Sequence, residues 1–139
     1  LPLHQIFEKC NVVSVHLPLE KNTKGIISEE LISSMMTGSI LLNTSRAAIV
    51  DNVALARSIK KGLVAGAAID VFDDEPDIYP YQDLENVILS PHIGSHTKET
   101  RHAMEQMAIN NVLSVDQFLK GKPGANVNEL LHYLIKVSV

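Results

Sequence analysis

A chain of 139 residues with 45% apolar and 20% charged side chains can close one hydrophobic core and is too apolar for intrinsic disorder. Its formal net charge of -4 excludes the basic footprint of a nucleic-acid binder, and no stretch is long and apolar enough to span a bilayer, so neither partner is expected. The single cysteine, Cys10, excludes an internal disulfide, suits a reducing cytoplasm and, lacking a neighbouring motif, reads as a packed thiol rather than a nucleophile.

In chain order, residues 3–9 place Leu3, Ile6 and Phe7 at helical spacing, as in the last turns of a helix. Residues 12–16 (VVSVH) are short and β-branched, which predicts a strand. A loop over 17–27 is punctuated by Pro18 and Gly25. Ser28 caps the next helix, Glu29 and Glu30 favour the positive end of its dipole, and Gly38 is expected to close it as a C-cap. Residues 39–43 (SILLN) form the second strand. Asp51 caps a helix carrying Val53, Leu55, Ala56 and Ile59, which Gly62 stops. Residues 64–70 (VAGAAID) form a third strand, whose small side chains allow close helix packing. A loop with Pro76 and Pro80 leads to a fourth strand at 87–90 (VILS). Thr97 then caps a long helix through residue 119, along one side of which Ala103, Met107, Asn110, Leu113 and Phe118 drift; Gly121, Pro123 and Gly124 form a linker.

Strands alternating with helices imply right-handed crossovers and a parallel α/β sheet. Strands that are apolar throughout, rather than on alternate residues, predict helices on both faces. In such sheets ligands bind at the carboxyl edge, which directs attention to the polar residues at the strand exits.

Arg46 follows the second strand and precedes the small pair Ala47-Ala48, so backbone can approach a ligand there. Its planar guanidinium suits a carboxylate or a polarised carbonyl; a solvated surface arginine is the plainer alternative, against which the strand exit and the neighbours Thr44 and Ser45 argue. His92 follows Pro91, with Gly94 leaving space beside it, and an imidazole exchanges protons near neutral pH. Paired with a carboxylate such as Glu75 it would act as a general acid and base, although the acidic run 73–75 taken alone reads as an ordinary solvated surface. Asp70 could accept a hydrogen bond from an amide ligand or cap a helix. His16 ends the first strand, where Leu17-Pro18 would line a pocket wall. His92 and His96 would make a zinc pair only on a helix, which Pro91 and Gly94 oppose, so no metal is expected.

Residues 3–128 resemble the D-isomer-specific 2-hydroxyacid dehydrogenases. The likeness rests on CNVVSVHLPLEKNTKGII, GSILLNTSRAAIVDNVAL, GLVAGAAIDVFDDEP and NVILSPHIGSHTKET, in that family's order and spacing. The resemblance implies a Rossmann-type domain of an oxidoreductase that moves hydride between NAD(H) and a small 2-keto or D-2-hydroxy acid, with NADP also open. By this likeness Arg46 would bind the substrate's carboxylate and carbonyl, His92 would exchange the proton and Glu75 would pair with His92. Asp70 would meet the nicotinamide carboxamide, while His16, Leu17, Pro18, Thr23, Thr44, Ser45, Gly94 and Ser95 fall in the cofactor-lining segments. Homodimerisation through this domain is implied too, with the 73–85 loop and the long helix as contact surfaces.

The chain departs from the family in carrying Ala47 and Ala48 where two glycines are usual, and no G-x-G-x-x-G occurs in it. The Rossmann unit is therefore expected to be incomplete, its first βαβ half absent, with residues 1–120 as a partial NAD-binding domain and 121–139 as linker and tail toward a substrate domain. The start, LPLH, carries neither an initiator methionine nor a signal pattern, which fits a larger protein only partly represented. The 139 residues by themselves are expected to bind NADH weakly if at all, since the helix start that holds the pyrophosphate is missing. The alternative function is an NAD-sensing, corepressor-type protein-binding module of the same fold.

Overall fold

The computed structural model describes residues 1–121. The chain divides into two compact units, Leu1–Gly94 and a second that begins at Ser95.

The first unit runs α1 (Leu3–Lys9), β1 (Val12–Val15), α2 (Glu29–Ser33), β2 (Ser39–Asn43), a 3-10 turn (Ala47–Ile49), α3 (Asn52–Lys60), β3 (Val64–Ile69) and β4 (Val87–Leu89). The strands pair in the order β1-β2-β3-β4, and every pairing is parallel. All four carboxyl ends therefore lie along one edge of the sheet, so the segments after Val15, Asn43, Ile69 and Leu89 meet the same solvent.

The helix starts follow the expected chemistry. The Ser28 hydroxyl accepts from the Leu31 N–H at 3.5 Å and the Asp51 carboxylate from the Ala54 N–H at 2.9 Å, each supplying one of the acceptors that a helix start lacks. The end of α2 differs from expectation. The helix stops at Ser33, because Ser34 turns its hydroxyl back onto the Leu31 carbonyl at 2.8 Å and competes with the next turn. Gly38 is not its C-cap but belongs to the turn into β2, at φ +86° with its N–H on the Leu63 carbonyl.

Phe7 of α1, Ile32 of α2 and Leu55 and Ile59 of α3 pack into one cluster with Val13, Val15, Leu41, Val64 and Ile69 of the sheet. These three helices thus cover a single face. On the other face of this unit Val12, Ile40 and Ile88 are exposed, Ile88 to 73%. The three helices of Leu1–Gly94 all pack on the first face, so within this unit they supply one of the two helical layers that the uninterrupted apolar strands imply.

Gly66 has a different role from the helix packing inferred for its strand. A Cβ there would lie 2.4 Å from the Asn86 carbonyl oxygen, which approaches to accept from the Ala67 N–H, while the Asn86 amide donates to the Ala65 carbonyl at 2.5 Å. The small residue admits the backbone that leads into β4.

The second unit contains α4 (Lys98–Gly121), whose Thr97 cap accepts from the Thr100 N–H at 3.1 Å. Of the side expected to be apolar, Met107 and Leu113 are exposed and Phe118 is buried. Pro123, Gly124 and the tail after them lie outside the described residues.

Gly66→Ala should lower stability by about 1–3 kcal/mol, since β4 must shift to admit the methyl. A urea unfolding midpoint unchanged from the parent would show that the Asn86 loop yields freely.

Candidate active site

The exit of β2 is shaped by Asn43, which is fully buried. Its side-chain oxygen accepts from the Ser45 N–H at 3.1 Å and its amide donates to the Arg46 carbonyl at 3.1 Å, folding residues 43–46 into a side-chain-closed turn. Thr44 and Arg46 are left exposed on that turn. The guanidinium donates to its neighbour's carbonyl, Ser45, at 2.7 Å, and among the described residues no carboxylate pairs with it. It remains available to an anionic ligand.

At the exit of β1, His16 shares a 2.8 Å hydrogen bond with the Ser14 hydroxyl. The Ser45 hydroxyl donates to the Leu17 carbonyl, tying the two exits together. Thr23 is turned inward on its own loop, donating to the Pro18 carbonyl at 2.6 Å and accepting from the Glu20 N–H at 2.7 Å, so it braces the loop. Between the two exits lies a cavity of about 420 Å³ lined by His16, Leu17, Pro18, Leu19, Ser45 and Arg46.

Asp70 follows β3 and is 5% exposed. One carboxylate oxygen accepts from the Ser90 hydroxyl at 2.6 Å and the Ile93 N–H at 3.0 Å; the other accepts from the Gly94 N–H at 3.0 Å. Burial pushes the carboxyl up, but these donors, with the nearby His92, outweigh it and hold its pKa below the usual value. The turn so gripped carries His92 at φ +53°, left-handed backbone that a side chain seldom adopts. Successive N–H groups beside such a residue form a concave anion cradle, and Asp70 occupies it. Gly94 does not leave empty space: a Cβ on it would lie 3.2 Å from the Asp70 oxygen.

The turn aims His92 at Glu75. Imidazole Nδ1 lies 3.0 and 3.2 Å from the two carboxylate oxygens, and the Phe72 N–H donates to one of them at 3.3 Å. The bond to His92 first, and that from Phe72 second, lower the pKa of Glu75. With Nδ1 donating to the carboxylate, Nε2 is the ring nitrogen left for a ligand. Both side chains stay open to solvent, His92 at 46% and Glu75 at 40%. An apolar cavity of about 290 Å³ adjoins the pair, walled by Phe72, Pro76, Ile78, Leu89 and Pro91.

The structure thus brings Glu75 and His92 into contact, sets Asp70 and Gly94 together beneath them, and groups His16, Leu17, Pro18, Ser45 and Arg46 around a second cavity on the same edge. Arg46 and His92 follow β2 and β4, which flank β3, so these exits lie about 10 Å apart by ordinary strand spacing. Ser95 opens the second unit. Asn43, Ser90, Asn52 and Tyr81 were not expected among the residues that shape the site. An asparagine closing an apolar strand is the signal that could have drawn attention to Asn43.

Leu17, Pro18 and Leu19 beside Ser45 and Arg46 give a mixed apolar and polar wall that fits the nicotinamide end of a dinucleotide. For the pyrophosphate the chain offers no glycine-rich turn, since its sequence holds no G-x-G-x-x-G. Neither cavity nor pair includes a metal cluster: among the described residues no group of three or more potential ligands gathers.

A parallel sheet with a histidine–carboxylate pair and an exposed arginine on its carboxyl edge has the architecture of a nucleotide-binding dehydrogenase domain. The chain belongs to the D-isomer specific 2-hydroxyacid dehydrogenase family, whose NAD binding domain model matches residues 1–94. It is similar to the glyoxylate reductase of Thermofilum pendens, at 42% identity over 130 residues, covering 91% of this chain and 38% of that protein. Among solved structures it is similar to a glyoxylate reductase from Paecilomyes thermophila (TM-score 0.78, 34% identity, 83% of this chain and 35% of that one). It is also similar to an NADPH-dependent glyoxylate/hydroxypyruvate reductase from Sinorhizobium meliloti in complex with citrate (TM-score 0.73, 29% identity, 81% and 36%). The chain therefore spans little more than a third of the length of these relatives.

Because the carboxyl of Asp70 is held below its ordinary value, the stability it contributes is present above the unfolded pKa near 3.8 and is lost as pH falls through the lower folded value. Asp70→Asn should therefore unfold at lower urea than the parent from neutral pH down to about 4, with the gap narrowing below that. A gap that stays constant down to pH 3 would mean that the ionised carboxylate does not hold the turn.

Proposed function

We propose that this chain supplies the acid–base and substrate-carboxylate side of an NAD(H)- or NADP(H)-dependent oxidoreductase that interconverts 2-keto acids and D-2-hydroxy acids, with a small keto acid of the glyoxylate kind as substrate. The observation that carries the reading is the 3.0 Å contact between His92 and Glu75 on the sheet edge that also bears Arg46, with which no carboxylate pairs among the described residues.

In the reducing direction Arg46 takes the substrate carboxylate in its planar fork and polarises the adjacent carbonyl. Its turn, closed by Asn43, limits the orientations open to the bound acid. His92, protonated on both nitrogens, gives its Nε2 proton to the carbonyl oxygen as that oxygen gains charge, and the Glu75 carboxylate stabilises the imidazolium beforehand. A dihydronicotinamide, when bound, would supply the hydride that with the proton from His92 reduces the carbonyl to the alcohol. His16, Leu17, Pro18, Thr44 and Ser45 would hold the nicotinamide side of the cofactor, with Thr23 bracing their loop and Asp70 and Gly94 beside the His92 turn. In oxidation His92 takes the hydroxyl proton at the same nitrogen.

The same reading has the enzyme act as a homodimer in the cytoplasm. The 73–85 loop exposes Ile78 and Tyr79, and α4 exposes Met104, Met107, Ile109, Val112 and Leu113, surfaces suited to a second copy. No helix among the described residues is long and apolar enough to cross a membrane. The protein-binding alternative gains nothing specific from the site, whereas the His92–Glu75 pair serves proton transfer.

Replacing His92 with alanine in the complete enzyme should lower kcat on 2-keto acids by about 10²–10⁴-fold while NADH binding stays near that of the parent. Turnover unchanged in His92→Ala would end the acid–base assignment and the oxidoreductase reading with it.

A further inference from the structure

Asn52, the first residue of α3, is 8% exposed, and all its hydrogen-bonding groups are used across three separate segments. Its amide donates to the Ala47 carbonyl at 3.2 Å and to the Asp73 carboxylate at 3.0 Å. Its oxygen accepts from the Tyr81 hydroxyl at 2.7 Å. Tyr81 is 1% exposed, and burial, followed by the charges of Asp73 and Asp51, pushes its pKa above the usual phenol value, so it remains a donor. The partners matter more than the number of bonds. Ala47 is covalently next to Arg46, and Asp73 lies two residues before Glu75. One side-chain amide therefore bridges the turn that carries the cation and the loop that carries the acid–base pair's carboxylate.

That bridge is a costly way to gain stability alone. A buried amide contributes little net free energy when satisfied, whereas an orphaned group costs its full desolvation. What it supplies is a fixed distance. Along the chain 24 residues separate Ala48 from Asp73, and a loop as exposed as 73–80 has few apolar contacts of its own to hold its start against the 3-10 turn.

We propose that Asn52, oriented by Tyr81, is a positioning residue that sets the separation between Arg46 and the Glu75–His92 pair, and thereby selects substrates whose acid group is adjacent to the reacting carbonyl. The inference rests on the oxidoreductase reading given above. With the bridge intact, a carboxylate on Arg46 brings the neighbouring carbonyl oxygen to Nε2 of His92 in one pose. With it cut, the cation still binds the acid but no longer fixes where the carbonyl sits, and a substrate that never used the cation loses nothing from that change.

The test compares the parent enzyme with Asn52→Ala and Asp73→Ala on a 2-keto acid and on the corresponding uncharged 2-keto amide. A purely structural role would lower kcat/KM for both substrates alike, or lower only the unfolding midpoint. The inference expects the acid-to-amide ratio of kcat/KM to fall about tenfold in Asn52→Ala, and about threefold in Asp73→Ala, with NADH affinity unchanged. Asp73 is exposed, so its variant decides the matter should Asn52→Ala fail to fold. A ratio equal to the parent's in Asp73→Ala, and in Asn52→Ala if folded, overturns the positioning role. Measured in parallel, His92→Ala separates the two readings. Full turnover there defeats the oxidoreductase assignment and this inference together, whereas lost turnover with unaltered ratios defeats the inference alone.

Discussion

Asp70 accepts three hydrogen bonds in a site only 5% exposed, and every donor comes from the segment just after β4. A carboxylate taken out of water is unfavourable unless its lone pairs are met, and here Ser90, Ile93 and Gly94 meet them. The arrangement works in both directions. The donors keep the acid ionised, and the acid keeps their backbone in a turn that would otherwise relax, because it places His92 at a positive φ. Remove the charge and the turn loses what offsets its strain; relax the turn and a buried charge loses its partners. The direction in which His92 points, and so its contact with Glu75, depends on this mutual hold.

The pair that results adds little to folding. His92 and Glu75 are 46% and 40% exposed, and in ion pairs this wet solvent screening cancels most of the attraction. Arg46 is likewise exposed, and among the described residues no carboxylate pairs with it. Arg46, Glu75 and His92, the groups proposed to react, are exposed, while Asn43, Asn52 and Asp70, which bond to the segments carrying them, are buried. Orientation and reactivity are carried by different side chains, at different depths.

The sequence disclosed the elements because their signals are local. Ser28 and Asp51 announce helix starts through their own side chains, and 39–43 and 64–69 appear as strands through composition alone. The candidate pair Glu75–His92 was also legible, but through the family likeness: taken by itself, the run 73–75 looks like a solvated acidic surface. What stayed hidden depends on distance in space. Gly66 reads as a concession to helix packing until the Asn86 carbonyl is seen 2.4 Å from where its Cβ would be. Gly38 reads as a helix cap until Ser34 is seen to end α2 sooner with a side-chain hydrogen bond. Asn52 and Tyr81 carry no sequence signal at all, since an asparagine at a helix start and a tyrosine in a loop are commonplace. Their joining across 29 positions is a product of the fold.

The distribution of buried polar groups shows what the sheet's two ends are for. At the amino end of β2, Ser39 is 1% exposed and its hydroxyl has no hydrogen-bond partner among the described residues. At the carboxyl edge Asn43, Asn52 and Asp70, buried to a similar degree, have their polar atoms engaged, each holding a different exit segment. Apolar packing cannot substitute there, because residues 72–80 and 91–94 have no buried side chain. A loop without a core of its own can be held in one geometry only by directional bonds, and directional bonds are strong only where water is excluded. Polar side chains therefore belong just beneath the edge and not on it. The same physics leaves Arg46, Glu75 and His92 on the outer rim, exposed to solvent.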